Sequence, residues 1–151
     1  MPEALLKSST SFTLERSFAA PIEKVWAAFT EPAVLQQWWG PPGFTTPSAD
    51  IDLRAGGKYR IAMKPPDGET LFLCGEFIEV RKPEKLVYTW AWEEDDGPGH
   101  QSQVTLNCKT RGKNTDVVLT QERLADAESR DAHVEGWTGS FERLAAQLGS
   151  V

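Results

Sequence analysis

Apolar and polar residues alternate through Phe12, Leu14, Arg16 and Phe18, which predicts a first strand over 12–18 with one irregular position. The period then changes. Ile22, Val25, Trp26 and Phe29 fall at i, i+3, i+4 and i+7, one face of an amphipathic helix opened by Pro21. Pro32 interrupts that helix, and residues 33–38 are expected to form a second short one. Gly40, Pro41, Pro42 and Gly43 break regular structure.

From 48 to 121 the pattern reads as strand after strand. A strand at 51–53 leads through the Gly56-Gly57 turn into 58–64, and Pro65 to Gly68 form a hairpin turn. A long apolar strand over 71–80 turns at Lys82-Pro83-Glu84 into 86–92. Residues 93–99 read as an acidic loop. A last hairpin joins 101–109 to 115–121 across Arg111 to Asn114. His133, Trp137, Phe141, Leu144 and Leu148 then lie along one stripe of a helix over 127–148. Strands joined by short turns, with the long helix arriving last, imply an α+β fold with a mainly antiparallel sheet. Residues 1–11 read as a flexible polar lead-in and 12–149 as a single domain.

Composition narrows the function classes. The net charge of −6 argues against a nucleic-acid groove and against an anionic membrane surface as the main partner. No apolar run reaches the length of a membrane span. The first ten residues lack the basic start and apolar stretch of a secretory signal, so a cytoplasmic location is expected. Cys74 and Cys108 are then expected to be reduced, buried thiols. Six tryptophans are many for 151 residues and suggest pocket or interface walls.

Several segments together resemble a known family. They are Pro21-x-Glu23-x-Val25-Trp26-x-Ala28-Phe29-Thr30-x-Pro32, Leu35-x-x-Trp38-Trp39, Asp52-Leu53-Arg54-x-Gly56-Gly57-x-Tyr59, Gly75-x-Phe77, Leu86-Val87-Tyr88-Thr89-Trp90 and His133-x-x-Gly136-Trp137. In this order they look like the START/Bet v 1-like (SRPBCC) superfamily. Within it they resemble the homologues of the activator of the heat-shock protein 90 ATPase. The resemblance implies a helix-grip fold: a curved antiparallel sheet wrapped around a long C-terminal helix, a cavity between them, and two short helices after the first strand. Many relatives carry histidine near the end of the last strand, where this chain has Gln121. A glutamine orients a polar ligand but does not shuttle protons near neutral pH.

The candidate cavity residues are Trp38, Trp39, Phe44, Met63, Phe72, Tyr88, Trp90, Trp92, Gln121, His133, Trp137 and Phe141. Trp38 and Trp39 precede the Gly-Pro-Pro-Gly loop, where one is expected to plug the core and the other to face the mouth. Tyr88, Trp90 and Trp92 alternate on one strand face, too bulky to be left in water. His133 and Trp137, four apart on the last helix, share its buried face, and the small Gly136 and Ser140 leave room beside them. His133 is read either as a polar handle in the cavity or as a hydrogen-bonded core histidine. Two histidines and two cysteines without metal-ligand spacing give no metal site. No nucleophile motif and no phosphate loop with its lysine is present, so no cofactor and no catalytic residue is assigned.

The expected function is the binding of a small apolar or amphipathic molecule in an internal cavity, more a binding protein than an enzyme. The alternatives are a co-chaperone-like contact with an Hsp90-type ATPase, implied by the resemblance alone, and a cyclase or dehydratase that would use His133. A homodimer stays open as a further partner, since sheet edges and a tryptophan-rich mouth favour contact.

Overall fold

Strand alternation decides which side chains turn toward the long helix. The computed structural model describes residues 3–149, with the backbone alone for residues 3–7. The elements in chain order are β1 (Glu3–Ser8), β2 (Ser11–Phe18), α1 (Ile22–Thr30), α2 (Pro32–Leu35), β3 (Thr45–Ile51) and β4 (Lys58–Lys64). There follow β5 (Leu71–Arg81), β6 (Lys85–Glu94), β7 (Gly97–Pro98), β8 (Ser102–Arg111), β9 (Asn114–Glu122) and α3 (Ala127–Leu148). All pairings are antiparallel, in the order β1-β2-β9-β8-β6-β5-β4-β3, with β7 folded back on the end of β6. This is the α+β helix-grip arrangement: a curved sheet around α3, with α1 and α2 inserted after β2.

The alternating burial of β9 shows how the sheet makes its inner face. Thr115, Val117, Leu119 and Gln121 are buried, while the residues between them are half-exposed. Against that face α3 lays Trp137, Phe141, Leu144 and Leu148. Phe141 meets Phe18 of β2 edge-on at 5.7 Å and Phe29 of α1 at 6.3 Å, so one side chain joins helix, sheet and lid. Edge-on aromatic pairs of this kind add about 0.5–1.5 kcal/mol beyond simple burial. Asp126 caps α3 by accepting the Ser129 N–H at 2.8 Å, satisfying one of the helix's free amides.

Four local readings differ from the pattern in the sequence. Glu3–Ser8, expected to be a flexible lead-in, pairs with β2 from Glu3↔Glu15 to Ser8↔Ser11. This pairing satisfies backbone groups that β2 would otherwise present at a sheet edge, which side-chain periodicity does not report. The strand expected at 51–53 lies earlier, at β3, because the sheet edge tolerates Pro47 through a register shift between Thr45 and Ser48. The second helix starts on Pro32 and ends at Leu35 rather than spanning 33–38. The acidic loop 93–99 is partly strand, with Glu93 and Glu94 paired to Pro98 and Gly97.

The two cysteines are free. Cys108 is buried, and burial pushes its thiol up to about 12. Cys74 is only half-buried, because its strand parity turns it to the outer face of the sheet. No helix among the described residues is long and apolar enough to cross a membrane.

Candidate functional site

The loop after α2, the inner faces of β4 to β6 and the middle of α3 enclose a cavity of about 260 Å³. The loop contributes Trp39, Gly40, Pro41 and Phe44. The strands add Met63, Leu71, Trp90 and Trp92, and α3 adds Ala132, His133, Gly136, Trp137 and Ser140. Leu71 is 47% exposed and marks the open side. A wider groove of about 830 Å³ lies on the outer face, but it is an open surface whose Arg60 already pairs with Glu93 at 2.7 Å.

Three tryptophans from three different elements form the cavity wall. The ring of Trp39 lies 5.4 Å from Trp137 and 6.1 Å from Trp90, and Trp90 lies 5.3 Å from Trp137. Trp92 meets Trp90 edge-on at 5.8 Å. Gly136 is what leaves space beside them, since a Cβ there would meet nothing nearer than Pro41 Cγ at 3.9 Å.

A buried polar chain ties the Trp137 ring to the backbone of Trp90. Trp137 Nε1–H donates to Gln121 Oε1 at 3.0 Å, and Gln121 Nε2–H donates to Ser102 Oγ at 2.9 Å. The Ser102 hydroxyl in turn donates to the Trp90 carbonyl at 3.4 Å. Gln121 is fully buried and used at both ends, so it stands behind the wall and orients it.

His133 is the ionisable group of the lining. Its Nδ1 lies 2.7 Å from the Ser129 carbonyl. A carbonyl only accepts, so Nδ1 carries the proton and Nε2 is left as an acceptor. Among the described residues neither His133 Nε2 nor Trp90 Nε1–H has a partner, and both are buried. Burial lowers the His133 pKa, opposed by the hydrogen bond to Ser129. The imidazole is therefore neutral near pH 7, and its ring meets Trp90 at 5.8 Å.

Arg143 holds the mouth loop, and the sequence reading missed it. Its Nη1 donates to the carbonyls of Trp39, Gly40, Pro41 and Phe44 at 3.0–3.2 Å. The loop can turn its carbonyls inward because Gly40 sits at φ +95°, a conformation that favours glycine. The signal was present in spacing, since Gly136, Ser140 and Arg143 lie at i, i+4 and i+7 on α3.

Of the sequence candidates, Trp39, Phe44, Met63, Trp90, Trp92, His133 and Trp137 meet in the cavity. The other five lie elsewhere. Trp38 is fully buried and donates its Nε1–H to the Ala28 carbonyl at 2.9 Å, so it plugs the core. Phe141 packs under Trp137 at 5.9 Å, and Gln121 lies behind the same ring. Phe72 is on the outer face, 3.8 Å under the Arg60 guanidinium, because Leu71 rather than Phe72 pairs with Met63. Tyr88 lines a separate small void of about 20 Å³ with Tyr59 and Phe77.

Comparison with known proteins agrees with this architecture. Residues 19–149 match the family described as Activator of Hsp90 ATPase homolog 1-like protein. The solved AHSA1 protein of Silicibacter pomeroyi is 33% identical over 91% of this chain and 96% of its own, with a TM-score of 0.81. A Rhodobacter sphaeroides protein is 27% identical over 98% and 97%, with a TM-score of 0.83. One from Chromobacterium violaceum is 27% identical over 94% and 99%, with a TM-score of 0.81. None of the curated proteins matches. With helix-grip architecture, matching residues and related structures in accord, the chain belongs to the Activator of Hsp90 ATPase homolog 1-like family.

Proposed function

We propose that the protein binds one small apolar or amphipathic molecule in the cavity between α3 and the sheet. The observation that carries this reading is the cavity of about 260 Å³ walled by the rings of Trp39, Trp90, Trp92 and Trp137. Small-molecule sites are typically concave, mostly apolar and supplied with a few polar groups. Here the polar groups are the His133 acceptor and the Trp90 donor, both without protein partners among the described residues. His133 Nδ1 commits its proton to the Ser129 carbonyl at 2.7 Å, so it cannot act as a base toward the Ser129 hydroxyl 3.5 Å away. That favours holding a molecule over transforming it.

Thermal-shift and native mass-spectrometry screens with lipids, aromatics and polyketide-like compounds test the reading. A bound species of one-to-one stoichiometry that raises the melting temperature is expected. No binder in any class, with the cavity filled by side chains in a crystal, removes it. The family match also raises contact with an Hsp90-type ATPase. A pull-down against the host's chaperone that recovers nothing removes that second reading.

A further inference from the structure

Trp39 belongs to two hollow spaces at once. It lines the cavity of about 260 Å³ and also the void of about 20 Å³ walled by Tyr59, Ile61, Phe77 and Tyr88. The strands show how the two spaces relate. On β6, Trp90 lines the cavity and Tyr88, two residues back on the same face, lines the void. On β4, Met63 lines the cavity and Ile61 the void, again two residues apart. Two residues along a strand are about 7 Å. Cavity and void are thus successive steps along one inner face, and the Trp39 indole is the shared wall between them.

We propose that Trp39 is a specificity-determining residue that ends the cavity and so sets the longest molecule it accepts. The inference rests on the cavity reading above. Trp39 is suited to this because its backbone is held while its ring forms the wall. Its carbonyl accepts from Arg143 Nη1 at 3.1 Å and from the Thr46 hydroxyl at 3.1 Å. Beyond the ring the void is lined by apolar and aromatic side chains, with Tyr59 committing its hydroxyl to the Thr89 carbonyl at 2.6 Å. A chain passing Trp39 would therefore meet apolar surface.

Binding of straight-chain 1-alkanols, from 1-hexanol to 1-dodecanol, by the wild-type protein and Trp39→Leu tests this. In the wild type, affinity should climb about fourfold per added methylene and then stop at one chain length. In Trp39→Leu the climb should continue for several further methylenes. Trp39→Phe, a smaller change, should move the stop in the same direction if the leucine variant folds poorly. Trp38→Phe alters a ring that lines neither space, and should stop where the wild type does. An identical stopping length for wild type, Trp39→Leu and Trp39→Phe overturns the inference and leaves the cavity reading standing. Failure of every alkanol to bind wild type and variants alike removes the cavity reading itself, and the inference with it.

Discussion

Trp137 on α3 donates its indole N–H to the side-chain oxygen of Gln121 on β9 over 3.0 Å, and both residues are buried. This bond joins the gripped helix to the sheet directly behind the cavity wall. Replacing Gln121 with leucine strands the Trp137 N–H in an apolar setting. The expected loss is about 1–3 kcal/mol in urea unfolding at unchanged slope. Gln121→His retains a ring nitrogen that can accept and should lose less. Equal stability of wild type and Gln121→Leu would show that the bond does not hold the wall.

Arg143 makes a second testable link. Arg143→Met removes a donor from the carbonyls of Trp39, Gly40, Pro41 and Phe44, of which Trp39 keeps the Thr46 hydroxyl and Pro41 the Phe44 N–H. The expected cost is about 2 kcal/mol, with faster amide exchange over residues 37–44. Arg143→Lys keeps the charge but lacks the planar fork, so it should recover only part of the loss. Unchanged exchange in that loop for both variants would contradict the anchoring role.

Much of this arrangement was legible in the sequence, and the rest was hidden for physical reasons. The periods of α1 and α3 and the alternation of Tyr88, Trp90 and Trp92 depend on local spacing, which a sequence carries openly. Phe72 was misplaced because an apolar run gives no parity by itself. Its face follows from the Met63↔Leu71 pairing across the hairpin. Arg143 was missed because its partners are backbone carbonyls roughly a hundred residues away, which leave no mark in composition. Glu3–Ser8 pairs through backbone groups, which every sequence possesses.

Gly136 separates stability from binding. Alanine there adds a Cβ into open space, with Pro41 Cγ the nearest atom at 3.9 Å. Within a helix this exchange should stabilise by about 0.5–1 kcal/mol. The same methyl narrows the cavity, so affinity for a bound probe should fall while the melting temperature rises. A gain in both would mean that the space beside Gly136 is not used.

His133 predicts a pH dependence with a definite sign. Burial places its folded pKa below the ordinary value of 6.5. Between the two values the unfolded chain holds more protons than the folded one, so stability falls as pH drops. The contribution is complete above about pH 6.5 and lost as pH falls through the folded pKa. Urea midpoints measured from pH 7.5 to 5 should fall less steeply in His133→Phe than in wild type. Comparing the two proteins cancels the groups they share. Parallel slopes would contradict a buried neutral imidazole.

The cavity claim is tested most directly by the indole N–H region of a ¹H–¹⁵N spectrum during titration with 1-octanol. The six tryptophans give six indole signals. Trp39, Trp90, Trp92 and Trp137 line the cavity, whereas Trp26 and Trp38 are core residues outside its lining. The largest shifts are expected at Trp39, Trp90, Trp92 and Trp137, with Trp26 and Trp38 nearly still. Signals that all stay fixed at saturating probe, or that move only for Trp26 and Trp38, would contradict the cavity claim.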